Sequence, residues 1–579
     1  MISRLSWTVG LGLLASWPFI IDYYSYNASY YVGLVASAAI SAILTISLNL
    51  AMGYGGMLSM AHTGLQLLGG YGSAFLTVKA GLPWPFGVLL SVLLGAAFSA
   101  LTLLVSLRAT YMYFSMITLA ANLIVVEIGR DWDSVTGGIV GITGVDSGMP
   151  KTAFYYVVIG LLLAAYVLQR NLVRSPLGRS AMAVRENPDT ASALGIRPAT
   201  TKLLVFSIAG GLGGLSGALY ALHLGFVNPD IGLLDNGLVF FVGLFLGGIG
   251  TLAGPLLGVA LISLIMELGK GFAQYTTLAL GLALLAAMML VPRGIVGTWR
   301  GRRRPRGDVG AATPGRLPAL NAVPSSPVPA LEGRGLIKHF GGVHALDGVD
   351  VAVRAGSVHG IIGPNGSGKS TLVSCLTRFY AVDAGEVLIF GMTAPAKAWA
   401  VPGAGVTRVF QVPHLFDRQS VLDNVLCGVK AEHGWLSMVL RLPGYRRWDH
   451  AARAFAGELL HFAGLAGLAE RDAGALSHGQ KRLLEVLRAV ASRPRALILD
   501  EPATGLTSEE LEALAGLCRA LRELGLAVVL IEHNVEFVMS VCDEITVLET
   551  GRVIARGTPA EVRTDPAVIA AYLGLVGSA

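Results

Sequence analysis

Nine consecutive residues in the second half of the chain constrain its fold most strongly: Gly363-Pro364-Asn365-Gly366-Ser367-Gly368-Lys369-Ser370-Thr371. Their small side chains let the backbone curl so that several N–H groups point into one concavity, and a helix beginning there adds positive potential. In this Gly-x-x-x-x-Gly-Lys-Ser pattern, Lys369 reaches the β- and γ-phosphates of ATP and the Ser370 hydroxyl can bind Mg²⁺. An apolar stretch at 357–362 precedes the loop, and helix-forming residues follow it. This strand–loop–helix context predicts a phosphate-binding loop rather than a chance glycine turn.

Composition divides the chain into two unlike halves. Of the 579 residues, 53% are hydrophobic and only 14% are charged, which is too apolar for a soluble protein of this size. We expect a transmembrane domain over 1–298, a flexible linker rich in Arg, Pro, Gly and Ala over 299–330, and an α/β nucleotide-binding domain over 331–579. All four cysteines lie in the last region, match no metal-site spacing and suit a reducing cytosol.

The first half contains apolar stretches of about the length that crosses a bilayer, so we predict about ten spans. The stretches are residues 7–21, 31–51, 58–78, 85–107, 110–128, 153–169, 203–224, 237–250, 252–268 and 272–291. The first is expected to be an uncleaved span rather than a signal peptide, because no cleavage site precedes a secreted domain. The third, interrupted by polar residues and glycines, and the short eighth are the two that a broken or re-entrant helix would also explain.

Charge predicts the orientation of these spans. The basic loop from Arg170 to Lys202 and the basic cluster from Arg300 to Arg306 belong on the cytoplasmic side by the positive-inside tendency. The acidic loops at 131–133 and 230–235 then fall outside. We read the basic cluster as a membrane flank. Binding to nucleic acid is the weaker reading, because no patterned basic face accompanies the cluster. The prediction from charge is a multi-pass membrane protein whose second half lies on the cytoplasmic side; the resemblance described below implies the bacterial inner membrane and a cytoplasmic ATPase domain.

Further motifs in the second half favour ATP hydrolysis. Residues 496–499 form an apolar run that ends in Asp500 and Glu501. At the end of a buried strand, Asp500 would support Mg²⁺ and Glu501 would polarise the attacking water. Another apolar run, 527–531, ends just before His533, which stands alone after its strand as many structural histidines do.

A helix start provides a second anion site. Ser477 and Gln480 form a Ser-x-x-Gln capping pattern before a periodic apolar run. A plain helix cap explains the pattern, but a serine hydroxyl and the Gly479 N–H at a helix start also bind anions.

In chain order these motifs resemble those of ABC ATPases, because Leu476-Ser477-His478-Gly479-Gln480 is similar to the family signature Leu-Ser-Gly-Gly-Gln. The resemblance implies that Ser477, Gly479 and Gln480 bind the ATP held by a facing subunit. It also implies that His533 contacts the γ-phosphate. Thr507 stands where many members of the family have aspartate, which puts communication between two ATP sites in doubt.

The same resemblance assigns two residues outside the main motifs. Phe340 lies upstream of the phosphate loop, where ABC ATPases stack an aromatic ring on adenine; a buried core phenylalanine is the alternative. Gln411 fits the family's Gln loop, where its amide senses Mg²⁺ and the γ-phosphate; a solvated glutamine at a strand end is the alternative. Residues 415–475 are then expected to be the helical subdomain.

The first half resembles the permeases of branched-chain amino acid importers. The resemblance is carried by Ser47-Leu48-Asn49-Leu50, by 53–62, by the glycine pattern at 136–144, and by 247–255. The C-terminal stretches 557–562 and 570–574 are similar to the ATPase subunits of the same importers. For any one glycine run, close helix packing is a sufficient explanation.

The basic loop carries a further predicted element. Pro188 and Gly195 bracket a short helix with Asp189 at its positive end. Asp189-x-Ala191-x-x-x-Gly195, preceded by Arg185 and Glu186, resembles the coupling loop of ABC importer permeases. A solvated loop is the alternative.

These observations predict a fused permease and ATPase of an ABC importer for branched-chain or hydrophobic amino acids, using ATP and Mg²⁺. Urea, short amides or another small organic solute are the alternative cargo. The resemblance implies a second permease and a second ATPase, as paralogues or a second copy, and a periplasmic solute-binding protein. A fused half-exporter and a membrane-anchored regulatory ATPase are less favoured, since the cytoplasmic loops are short and the spans many.

Overall fold

The computed structural model describes residues 12, 14–23, 27–107, 109, 111–270, 276–292, 294–303, 318 and 327–573. These residues fall into two compact units. The first draws on residues 1–181, 199–305 and 438–440, and the second on 182–198, 306–437 and 441–579.

The first unit is helical, as the apolar stretches predict. Its helices are α1 (Ala28–Leu48), α2 (His62–Ala74), α3 (Trp84–Ser106), α4 (Tyr111–Asp131), α5 (Asp133–Thr136), α6 (Lys151–Arg174), most of α7 (Pro176–Glu186), α9 (Pro198–Leu224), α10 (Leu234–Gly247), α11 (Gly254–Leu268), α12 (Thr276–Leu290) and α13 (Gly294–Arg303). The intervening α8 (Pro188–Ala193) belongs to the second unit. The strands β1 (Ile142–Thr143) and β2 (Phe226–Val227) pair antiparallel.

Within the described residues, five helical segments are long and apolar enough to cross a membrane. They are Ala28–Tyr54, Trp84–Ser106, Met112–Asp131, Lys151–Arg174 and Pro198–Leu224. The helices α10 and α11 are apolar but shorter. Parts of the predicted first and last spans lie outside the described residues, and the total of about ten spans remains a prediction.

One of two predicted boundaries differs in the structure. The linker was expected to begin at 299, but α13 continues to Arg303 because its turns extend past the apolar residues into the basic cluster. Most of the predicted linker, residues 304–317 and 319–326, lies outside the described residues. The expected start of the ATPase domain at 331 coincides with the first residue of its first strand.

A buried asparagine joins two interrupted helices of the first unit. Asn49 is fully buried where α1 passes into a π-helical segment, Asn49–Tyr54. Its Nδ2 donates to the carbonyl of Thr251 (2.9 Å), and its Oδ1 accepts from the N–H of Gly250 (2.8 Å). The side chain therefore satisfies main-chain groups that the break between α10 and α11 leaves unpaired. Two of the motifs that resemble the permease family thus meet in space.

Close backbone contact explains one run of glycines in α9. A Cβ on Gly217 would collide with the carbonyl of Gln66 and lie 2.8 Å from the N–H nitrogen of Gly70, both in α2. Because these neighbours are backbone atoms, no side chain can rotate away to make room. Close helix packing therefore accounts for the glycine at this position.

The second unit contains the predicted α/β domain. Its strands are β3 (Leu331–Phe340), β4 (Val343–Val353), β5 (Val358–Ile362), β6 (Ala384–Ile389), β7 (Met392–Thr393), β8 (Val406–Val409), β9 (Ala496–Asp500), β10 (Ala527–Ile531), β11 (Glu544–Glu549) and β12 (Arg552–Gly557). Its longer helices after α8 are α14 (Lys369–Leu376), α15 (Val421–Gly428), α16 (Trp435–Val439), α17 (Pro443–Phe462), α18 (His478–Val490), α19 (Ser508–Glu523), α20 (Val535–Val541), α21 (Pro559–Thr564) and α22 (Pro566–Leu573).

One sheet determines where the site lies. It has the order β12-β11-β5-β10-β9-β8, and all neighbours from β11 to β8 are parallel. The four neighbouring strands β5, β10, β9 and β8 are buried along their whole length, as strands covered on both faces are. A separate antiparallel sheet, β4-β3-β6-β7, forms the second layer. The predicted helical subdomain is present as α15 to α17 with short 3₁₀ turns.

We predict that Gly217→Ala lowers the thermal stability of the detergent-purified protein, because the added methyl group has no space between α9 and α2. Overpacking of this kind costs about 1–3 kcal/mol. The matched control is Gly160→Ala in α6, where a Cβ meets nothing within 4 Å. Thermal unfolding followed by size-exclusion fluorescence measures both; equal melting temperatures for the two variants would show that the helices separate easily.

Candidate functional site

The predicted ATP-site residues follow the carboxyl ends of adjacent parallel strands. The phosphate loop follows β5, His533 follows β10, Asp500 ends β9, and Gln411 follows β8. Since these strands are neighbours and parallel, their carboxyl ends meet at one edge of the sheet. Motifs that are far apart in sequence therefore lie close together at this edge.

The phosphate loop has the predicted curled form. Gly366 and Gly368 adopt φ values of +81° and +100°, which favour glycine, and a Cβ on Gly368 would lie 2.5 Å from the carbonyl of Ala345. Lys369 begins α14, and its Nζ donates to the loop carbonyls of Gly363 (2.7 Å) and Pro364 (2.9 Å). Burial lowers the pKa of Lys369, while the carboxylates of Glu501 and Asp500 oppose that shift.

A cavity of about 320 Å³ opens beside this loop. It is lined by residues 365–371 of the loop, by Glu501 and His533, and by 343–345 and Thr550. The structure thus brings the predicted Lys369, Ser370, Glu501 and His533 to one cavity. Phe340, Asp500, Gln411 and the signature residues are not among its lining residues.

Glu501 is bonded through both carboxylate oxygens. Its Oε2 accepts from Nε2 of Gln411 (2.6 Å), and its Oε1 lies 2.7 Å from Nε2 of His533. The backbone of Glu501 has φ +46°, a conformation that non-glycine residues rarely adopt. Gln411 is exposed, as the alternative of a solvated glutamine expects, but its amide bonds the predicted base, and His533 reaches the same carboxylate.

Buried atoms without partners show that the site fits a nucleotide and its cation. Among the described residues, Ser367 Oγ and Asp500 Oδ1 are buried without a hydrogen bond. A hydroxyl and a carboxylate oxygen beside a cradle of backbone N–H groups are the donor set that phosphate and Mg²⁺ require. Ser370, Asp500 and the Gln411 amide are the residues that would hold the cation.

A buried arginine contacts the site although the sequence did not single it out. Arg408 in β8 donates to Asp500 Oδ2 (2.7 Å), and its guanidinium lies 4.8 Å from the ring centre of Phe410. The other oxygen of this carboxylate, Asp500 Oδ1, is buried and has no hydrogen-bond partner. A charged residue within a fully buried strand needs a partner of opposite charge, so the arginine in Val-Thr-Arg-Val was the available signal.

Phe340 is not a core residue, because 42% of it is exposed. Its ring packs edge-on against Tyr380, with centroids 5.2 Å apart. An exposed aromatic ring in this position leaves a face available to a planar base, as the family resemblance implies. The alternative of a buried core phenylalanine is wrong.

The signature motif is a helix start, as predicted. Ser477 and Gln480 form a reciprocal capping box at the beginning of α18. His478 replaces the family's first glycine, and its Nε2 lies 3.2 Å from the carbonyl of Thr504. Thr507, which replaces the usual aspartate, accepts through its hydroxyl from the N–H of Glu510 and caps α19.

The predicted coupling helix packs within the second compact unit. The short helix between Pro188 and Gly195 is present as α8, but its cap is Asn187, whose side chain accepts from the N–H of Thr190 (2.8 Å). Asp189 lies exposed in the first turn. Gly195 ends the segment with φ +84°.

Contacts hold this segment against residues that follow the Gln loop. Ala191 is fully buried in an apolar cluster with Phe416 and Cys427. The half-buried Glu186 accepts from the N–H of Arg418 (3.4 Å), and burial raises its pKa. The segment is therefore not a solvated loop.

A cation–π contact anchors its far end, where the Arg197 guanidinium lies 4.0 Å from the ring centre of Trp399. Arg185 is half-buried, next to Glu186 at the end of α7.

Comparisons with known proteins agree with this geometry. The family model for the permease component of branched-chain amino acid transport systems matches residues 30–292. The ABC transporter model matches residues 346–504, and the model for branched-chain amino acid ATP-binding cassette transporters matches residues 552–575.

Individual relatives match the ATPase half. The chain is 39% identical over 257 residues to the high-affinity branched-chain amino acid transport ATP-binding protein BraF of Pseudomonas aeruginosa, covering 42% of this chain and 98% of that protein. It is 36% identical over 253 residues to the corresponding LivG of Escherichia coli, again covering 42% of this chain and 98% of that protein.

Among solved structures, the chain is similar to a nucleotide-free ATP-binding cassette from an ABC transporter. The two sequences are 32% identical, the match covers 42% of this chain and 98% of the cassette, and the TM-score is 0.38. Because the cassette matches nearly the whole of its relatives and the helical half matches the permease model, the chain belongs to the branched-chain amino acid ABC transporter family, with permease and ATP-binding cassette in one polypeptide.

Proposed function

We propose that this chain is the permease and ATPase subunit of an importer that moves branched-chain and other hydrophobic amino acids across the bacterial inner membrane into the cytoplasm. Membership of the family and the permease match support this cargo over urea or short amides. The observation that carries the coupling to transport is the burial of Ala191 against Phe416, a few residues after Gln411.

Each residue at the sheet edge has a different role in ATP hydrolysis. Lys369 exchanges its bonds to the loop carbonyls for bonds to the nucleotide phosphates, and the loop N–H groups hold the same oxygens. Mg²⁺, when bound with ATP, supplies charge that stabilises the phosphates during transfer. Glu501, whose carboxylate is bonded to Gln411 and His533, accepts a proton from the attacking water as general base.

The arrangement also supplies a signal of nucleotide binding. Glu501 holds Gln411 and His533 before ATP arrives, so a γ-phosphate that draws either side chain away must break one of these bonds. Movement of Gln411 shifts the segment that includes Phe416 and Arg418, against which 182–198 packs. This chain of contacts would transmit the state of the ATP site to the loop between α6 and α9.

The full importer needs more than one chain. The signature residues Ser477, Gly479 and Gln480 do not line the cavity beside the phosphate loop of their own cassette. A second ATPase, as a second copy or a paralogue, would place its own signature over this nucleotide. A second permease and a periplasmic solute-binding protein would complete the assembly.

The proposal is tested by uptake of radiolabelled leucine. A strain lacking its own branched-chain amino acid uptake is supplied with this chain, its partner subunits and the binding protein. We expect ATP-dependent leucine accumulation that excess isoleucine or valine suppresses and excess urea does not. Accumulation of urea or an amide in place of leucine would contradict the proposed cargo.

Glu501→Gln should retain ATP binding and lose hydrolysis, because the amide keeps the side-chain shape but cannot accept the proton. General base catalysis contributes about 10²–10⁴-fold, so we expect phosphate release to fall by at least about 100-fold. Glu512→Gln, in an exposed ion pair with Arg519 on α19, is the matched control. Phosphate release and binding of a fluorescent ATP analogue are measured together, and normal turnover in Glu501→Gln would refute the base assignment.

Ala191→Glu should uncouple hydrolysis from transport, because it places a charge in the apolar cluster with Phe416 and Cys427. We expect leucine uptake to be lost while the purified complex retains basal ATP hydrolysis. Ala199→Glu makes the same change at an exposed position at the start of α9 and should transport normally. Unchanged uptake in Ala191→Glu at wild-type expression would disprove the coupling role of this contact.

A further inference from the structure

The first compact unit contains a cavity that shares no lining residue with the cavity beside the phosphate loop. Its volume is about 430 Å³, and it lies among α1, α2, α9, α10 and α11. Small-molecule sites in proteins typically enclose roughly 300–1,000 Å³. The cavity is therefore large enough for a small organic solute.

One wall of this cavity carries a pair of opposite charges. Glu267, at the end of α11, pairs with Lys270 (2.8 Å). The hydroxyl of Tyr30 donates to the same carboxylate (2.8 Å), and the Lys270 ammonium lies 4.1 Å from the centre of the Tyr30 ring. All three residues line the cavity. Two opposite charges fixed side by side match the two charges of a zwitterion.

A buried amide points to a ligand independently of this pair. Gln66 in α2 is 3% exposed and lines the same cavity, and its Nε2 has no hydrogen-bond partner. A buried donor left unpaired costs free energy that a bound acceptor recovers. The main chain of Gln66 lies close to Gly217 of α9, so the helix carrying this amide packs directly against another wall of the cavity.

One part of the remaining wall suits an apolar side chain, while Ser37, Ser41 and Ser263 add hydroxyl groups elsewhere. Leu34, Val239, Phe240 and Val259 line the cavity, and Phe240 and Val259 are themselves buried. Branched aliphatic groups are stabilised by contact with such walls. A net-charged solute would leave one member of the Glu267–Lys270 pair uncompensated.

We propose that this cavity binds a neutral amino acid with a branched apolar side chain during its passage through the permease. Glu267 accepts from the α-ammonium group, Lys270 and Gln66 donate to the α-carboxylate, and the apolar walls surround the side chain. This inference rests on the proposed import of branched-chain amino acids and names the site at which the permease itself recognises them.

The test measures the initial rate of radiolabelled leucine uptake by the complete transporter. We expect Glu267→Gln to lower the rate about tenfold or more, because a charge-assisted bond to the ammonium group is lost. Glu127→Gln is the matched control, since Glu127 forms an exposed pair of the same spacing with Arg130 on α4 and does not line the cavity. It should transport at the wild-type rate, and immunoblotting of membranes confirms equal amounts of each variant.

A charge exchange separates recognition from structural support. Glu267→Lys combined with Lys270→Glu keeps an ion pair but reverses its polarity, so a purely structural pair would restore uptake. We expect uptake to stay about tenfold or more below wild type. Wild-type uptake in either Glu267→Gln or the exchanged variant would overturn the assigned site and leave the proposed function standing. Failure of the wild-type transporter to take up leucine would overturn both.

Discussion

The meeting of four parallel strand ends at one sheet edge is the constraint on which the catalytic half depends. Side chains separated by more than 160 residues in sequence, from Lys369 to His533, reach a common cavity because β5, β10, β9 and β8 are neighbours. The apolar interior of these strands forces every polar function to their ends or into pairs. Arg408 is an example of such a pair, since it lies inside a strand and is bonded to Asp500.

A second arginine ties the signature helix to this edge. Arg482 in α18 donates to the carbonyls of Phe410, Asp500, Glu501 and Pro502. Glu485, one turn later, balances its charge and accepts from the N–H of His414, while burial raises the pKa of Glu485. The main chain beside the base, the Gln loop and the start of the signature helix are therefore held by one buried ion pair. Moving one of these segments away from the others would break the pair between Arg482 and Glu485. An unpaired charge would then remain in the apolar interior, which costs free energy.

Sequence predicted the local geometry of the motifs in the second half because each motif specifies its own strand, turn or helix start. The glycines of the phosphate loop require left-handed backbone, and the carboxylates of Asp500 and Glu501 follow an unbroken apolar run, so strand, turn and helix were all specified locally. Arg408 and Arg482 were not predicted as site residues, since their partners lie far away in sequence and only the fold brings them together. In the first half, apolar length predicted helices but not the clamp that Asn49 forms with Gly250 and Thr251, which depends on two interrupted helices meeting.

Residues 182–198 are held to the cassette by contacts that separation would break. These residues lie between the membrane-type helices α6 and α9 in sequence, yet they pack with the cassette of the same polypeptide. A solvated loop would lose nothing on separation, whereas this one would expose the Ala191 cluster and separate the Arg197–Trp399 contact. Separating the segment from the cassette would therefore cost free energy. Helix α7 runs into the segment at one end and α9 begins at the other, so the segment is covalently continuous with helices on both sides.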